Sequence, residues 1–115
     1  MNNIETVKLD TSSGKYENAL KQVEFAIASA AVRGVDIIKL SCENPICKTF
    51  RSNMMRSVRH FKKEGRINCF VAGENLKGDN DVTRYLLQKA DYIKSDADFE
   101  NENENIVVVY VKSSF

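Results

Sequence analysis

Two rhythms run through the apolar positions of this chain. Ile4 to Leu9 alternates apolar and polar side chains, the period of a half-buried strand. From Tyr16 to Arg33 the spacing lengthens, and Leu20, Val23, Ile27, Ala30 and Ala31 recur at helical intervals. Thr11-Ser12-Ser13-Gly14 reads as the turn between them, with Ser12 or Ser13 placed to cap the helix. Arg33-Gly34 ends it: a cation in the last turn, then a glycine free to take the left-handed conformation. Val35 to Leu40 is β-branched and apolar around Lys39, which predicts a buried strand. That strand emerges into Ser41-Cys42-Glu43-Asn44-Pro45, where the only proline of the chain marks a loop.

Phe50 to Lys63 returns to helical spacing. On a wheel of about 100° per residue, Phe50, Met54, Val58 and Phe61 share one arc, Arg51, Arg56, Arg59, Lys62 and Lys63 fan over the next, and Met55 fits neither. Gly65 stops this helix, and Ile67 to Val71 reads as a third strand followed by Gly73. Asp79-Asn80-Asp81 caps a short helix through Val82, Tyr85, Leu86 and Leu87. The acidic, asparagine-rich stretch 95–105 reads as an exposed loop. Ile106 to Val111, the most apolar run, suits the middle of a sheet. The order β-α-β-α-β-(α)-β is that of an α/β fold. Its two successive helical crossovers imply that the first three strands run parallel and join right-handedly. The final strand follows a long connection and is free to run either way.

Composition adds bounds. The 115 residues, 43% hydrophobic and 29% charged, suit one domain with one core over 1–115. A net charge of +1 creates no global attraction for polyanions or membranes. Charge is unevenly spread, however. Lys48, Arg51, Arg56, Arg59, Lys62, Lys63 and Arg66 face only Glu64 within their stretch, whereas Asp91, Asp96, Asp98, Glu100, Glu102 and Glu104 face only Lys94. Such asymmetry marks candidate binding faces. Three cysteines, no basic-then-apolar leader and no run long enough to span a bilayer fit a reducing cytoplasm with free thiols and no membrane partner.

Candidate chemistry collects where ligands of open α/β sheets sit, outside the carboxyl ends of the parallel strands. Asp10, Ser12 and Ser13 follow the first strand, and Cys42, Glu43 and Asn44 follow the second. That second loop feeds the start of the basic helix, where free amide groups favour an anion. The cations Lys48, Arg51, Arg56, Arg59, Lys62 and Lys63 are the candidate nucleic-acid contacts, the plainer alternative being a solvated helix face. Asp10 is placed for acid–base or metal work, or simply to bond the amides of Ser12 or Ser13 in a turn. A nucleophilic Cys42 lacks a visible base. Cys42, Cys47, Cys69 and His60 are too widely spaced for a usual structural zinc site. Neither GxGxxG nor a P-loop is present, so no catalytic residue, metal or cofactor is assigned.

Several phrases resemble the Smr (small MutS-related) domain, in particular its short stand-alone forms. They are Glu17-Asn18-Ala19-Leu20, Arg33-Gly34-Val35-Asp36-Ile37-Ile38-Lys39-Leu40, Phe61-Lys62-Lys63-Glu64-Gly65-Arg66-Ile67, Gly73-Glu74 with Arg84-Tyr85-Leu86-Leu87, and Asn105-Ile106-Val107-Val108-Val109-Tyr110. The resemblance implies a two-layer domain with a mixed four-stranded sheet whose last strand runs antiparallel to the rest, and an association with DNA or RNA. Two departures weaken the implied nuclease. Where the family has Leu-Asp-x-His, this chain has Val7-Lys8-Leu9-Asp10. Where it has His-Gly-x-Gly, this chain has Ser41-Cys42-Glu43-Asn44-Pro45, without glycines to admit a phosphate.

Three functions follow as expectations: an Smr-like nucleic-acid-binding module whose cleavage is lost or doubtful, a protein-interaction module on a decayed nuclease scaffold, and an active hydrolase using Asp10, Glu43 or Cys42.

Overall fold

A strand survives only if both its backbone edges and its side-chain faces find partners, and that requirement organises this chain. The structure, a computed structural model, describes residues 4–42 and 48–111. Its elements are β1 (Ile4–Lys8), α1 (Tyr16–Arg33), β2 (Ile37–Ser41), α2 (Lys48–Lys63), β3 (Cys69–Ala72), α3 (Asp81–Lys89) and β4 (Ile106–Tyr110). Short 3-10 turns at Gly73–Asn75 and Asp91–Ser95 flank α3.

Local chemistry explains the boundaries. Gly34 ends α1 at φ 73°, with its amide directed at the carbonyls of Ala30 and Ala31. Asn80 caps α3 by accepting a hydrogen bond from the Thr83 amide at 3.0 Å. The expected serine cap of α1 is replaced: Lys15 holds the cap position, and Ser13 Oγ accepts the Lys15 amide at 3.2 Å.

The sheet has the order β1-β2-β4-β3. β1 pairs parallel with β2, while β4 runs antiparallel to both β2 and β3. The mixed α/β sheet with a reversed last strand is therefore as expected. β4 also takes a central place, with all five residues buried. Two crossovers of one hand advancing in one direction must leave their helices on the same face. α1 and α2 do share a face: Val23, Ile27, Met54, Val58 and Phe61 pack on Ile38, Leu40, Val107 and Val109.

The expected two layers are joined by a partial third. On the other face Leu76, Leu86, Ala90 and Ile93 cover Ile37, Cys69, Val71, Ile106, Val108 and Tyr110. β4 separates the two cores, which is why every second residue of its run belongs to each.

Residues 95–105 are mostly exposed, as their composition predicts, but the segment is tied down. Lys39 Nζ donates to Asp96 Oδ1 and Asp98 Oδ2, each at 2.9 Å, and Phe99 packs on the second core. Asn103 Nδ2 donates to Asp98 Oδ1 at 3.0 Å, and Lys77 pairs with Glu102 at 2.6 Å. A mostly buried cation and an apolar anchor hold the acidic segment to the body.

Candidate functional site: a groove along the sheet edge

Loop 10–15, after β1, packs beside the first turns of α2, where Asn53 Nδ2 donates to the Gly14 carbonyl at 2.9 Å. Asp10 is a turn aspartate here. Its Oδ1 accepts the Ser12 amide at 3.0 Å, and Gln22 bonds both its backbone amide and its carbonyl, at 2.7 and 2.8 Å. The Ser12 bond holds the Asp10 carboxyl below its usual range, so it is a poor proton acceptor at neutral pH. Cys42 is fully buried in the first core, with its amide bonded to the Asn105 carbonyl at 2.8 Å. Glu43, Asn44 and Cys47 lie outside the described residues.

The candidate zinc set is dispersed. Cys42 belongs to the core on one face of the sheet and Cys69 to the core on the other. His60 sits on the outside of α2, 3.5 Å from Glu64. Among the described residues, no three His, Cys, Asp or Glu side chains gather as a metal site would need.

The cations of α2 diverge. Arg51 turns to the sheet, bonding Glu74 at 2.5 and 2.7 Å and the Glu104 carbonyl at 2.8 Å. Arg56 stacks over the Tyr16 ring, 4.1 Å from its centroid, and Arg66, just beyond the helix, pairs with Glu24 at 2.8 Å. Lys48 and Lys63 are exposed at opposite ends of the helix. Arg59 and Lys62 line a cavity at the edge of the sheet, away from the ends of β1 and β2.

That cavity is a groove of about 730 Å³ along the outer edge of β3, between α2 and α3. Its first wall is Met55, Arg59 and Lys62, its floor runs from Asn68 to Ala72, and its second wall carries Asn80, Asp81, Val82 and Tyr85. Val82 and Tyr85 are 40% and 38% exposed, unusual for large apolar side chains beside a sheet. Tyr85 is fixed by its hydroxyl, 3.1 Å from Asn68 Oδ1. Asp81 pairs with Arg84, and among the described residues neither Arg59 nor Lys62 has an ion-pair partner, so the groove is cationic on balance. Burial pushes the Cys69 thiol up to about 11, against the pull of the Lys62 charge, so it stays protonated and is part of the floor rather than a nucleophile.

The backbone of β3 adds a further feature. Residues along a strand direct their amide and carbonyl groups to alternate sides. Val111 donates to the Asp36 carbonyl and Cys42 to that of Asn105, each at 2.8 Å, so the odd residues of β4 serve β2. Even residues then serve β3, where Tyr110 faces Cys69 and Val108 faces Val71. Phe70 consequently turns its amide and carbonyl outward into the groove and Ala72 its amide, while the Ala72 carbonyl, at the cap of the 3-10 turn Gly73–Asn75, opens that turn.

Sequence reasoning named Arg59 and Lys62 but missed Phe70, Val82 and Tyr85. Met55, apolar and off the core arc, was the available signal: it lies in the groove wall. No helix of the described residues is long and apolar enough to cross a membrane. Comparison of the chain with protein-family models, with curated proteins and with solved structures finds no match.

Proposed function

We propose that this chain is a protein-interaction module, and that the groove between α2 and α3 is its binding surface. The observation that carries the reading is the combination at one place of exposed apolar side chains, unsatisfied edge backbone and two cations. An open strand edge beside exposed apolar side chains suits recognition of an extended polypeptide. Resemblance to the Smr domain fits as ancestry of the scaffold, since fold and activity part readily.

The test is selection from a displayed peptide library on the immobilised full chain, followed by titration of the enriched peptides. Val82→Lys and Tyr85→Ala, each checked for retained fold by circular dichroism, are expected to weaken binding by about tenfold or more, the loss of a central anchor. Enriched peptides that bind both variants as well as the parent contradict the reading.

A second reading, association with DNA or RNA, is favoured by one observation. Lys48, Arg59, Lys62 and Lys63 are all exposed on α2, which contains no acidic residue. It requires retardation of an oligonucleotide at low salt, with log affinity falling by about 0.7–0.9 per phosphate contact as log salt rises. Absence of any retardation at low salt removes it. A hydrolase built on Asp10 or Cys42 has less support, because the first is committed to a turn and the second is buried.

A further inference from the structure

Building on the protein-interaction reading, we infer that the groove takes an extended segment of a partner protein, which adds a fifth strand beside β3. Its side chains alternate, acidic toward α2 and apolar toward α3.

Backbone geometry argues for a strand. Phe70 presents its amide and carbonyl, and Ala72 its amide, at the two-residue spacing that a neighbouring strand matches, and the floor runs the length of β3. Four residues at about 3.3 Å each leave room for a segment of roughly five residues. β1, at the other edge of the sheet, is differently built: its Thr6 and Lys8 are exposed, and lysine on an edge discourages pairing. β3 has no charged residue at all. Flanking helices wall it on both sides, which selects a single chain over another sheet.

The alternation follows from the faces of β3. Phe70 packs toward the α1–α2 core, while Cys69 and Val71 belong to the α3 core. Neighbouring strands place paired side chains on the same face. Residues of the added strand on the Phe70 side therefore meet Met55, Arg59 and Lys62, and those on the other side meet Val82 and Tyr85. Two cations on one wall call for carboxylates, and an exposed valine and tyrosine on the other call for apolar side chains.

The experiment uses the full chain and synthetic seven-residue peptides with capped ends. One alternates glutamate with valine, a second replaces glutamate by lysine, and two more carry N-methyl groups on one or the other alternate set of amides. Glutamate is expected to bind about tenfold or more tighter than lysine, and Arg59→Ala with Lys62→Ala to remove most of that difference. One N-methylated set should lose about tenfold while the other stays within about threefold, because only alternate amides meet β3. Equal binding of both N-methylated peptides, or of the lysine peptide, overturns the inference. Failure of the parent reading looks different. If library peptides depend on Val82 and Tyr85 but on neither charge nor amides, a protein groove remains and the added strand is wrong. If no peptide depends on those residues, both fall. Displacement of the glutamate peptide by a single-stranded oligonucleotide in an Arg59- and Lys62-dependent manner also overturns both.

Discussion

Lys39 stands inside β2 with a side chain only 11% exposed, a costly place for an ammonium group without partners. Asp96 and Asp98 supply them. Burial alone would raise the Asp98 carboxyl, but the bonds from Asn103 and Lys39 outweigh it and hold it below the ordinary 3.8. Burial likewise opposes the Lys39 charge, and the two carboxylates outweigh it, holding the group above 10.5. A lowered carboxyl contributes stability that is complete above about pH 4 and fades as pH falls through its folded value. A raised amine contributes stability that is complete below about pH 10 and fades as pH rises through its folded value. Stability thus has a plateau between the two limbs. Lys39→Met is expected to cost about 2–3 kcal/mol on that plateau, because two half-buried carboxylates lose their cation. Urea titrations from pH 3 to 8 check this: the gap between parent and variant should begin to narrow below about pH 4, as pH falls towards the lowered value of Asp98. Gly73 is the other sensitive residue. A Cβ there would lie 2.0 Å from the Asn103 carbonyl oxygen and 2.5 Å from Ile106 Cγ1, both on the segment that enters β4. Gly73→Ala should therefore cost about 2–3 kcal/mol by overpacking, read as a lowered urea midpoint. Residue chemistry was partly legible in sequence. Asp10 had two readings and the turn is what forms, whereas the commitment of Asp98 to Lys39, 59 positions apart, left no local trace.

Elements were more legible than contacts. α1 ends at Gly34 as its sequence predicts, and since nothing lies within 4 Å of an added Cβ there, only the backbone pays for a side chain. Gly34→Ala is expected to cost about 1 kcal/mol, from the positive φ alone, measurable by thermal unfolding. α2 begins at Lys48 rather than Phe50, and β3 spans Cys69–Ala72 rather than Ile67–Val71. Both shifts fall at element ends, where pattern gives way to loop geometry. The all-apolar run of β4 correctly announced a strand buried on both faces, for its residues alternate between two cores. Not every apolar position found cover. Phe25 and Val32, on the outer side of α1, are 75% and 88% exposed, and periodicity does not separate such residues from core ones.

At the scale of the whole molecule, one pairing decides where the groove lies. By entering between β2 and β3, β4 pushes β3 to the sheet edge, and α2 and α3, on opposite faces, become the walls of a groove. The apolar run 106–111 announced a central strand but not its neighbours, because long-range strand order is set by pairing energies that no short window contains. The candidate cations are accordingly divided: Arg51 braces Glu74, and Arg59 and Lys62 face the sheet edge. The most direct measurement is a backbone amide spectrum of the full chain titrated with a groove-selected peptide. The account predicts the largest shifts at Asn68–Ala72, Val82 and Tyr85, with slowed hydrogen exchange at the Phe70 and Ala72 amides. Shifts centred instead on residues 10–15 and the first turn of α2, with Phe70 and Ala72 exchanging as before, would contradict it.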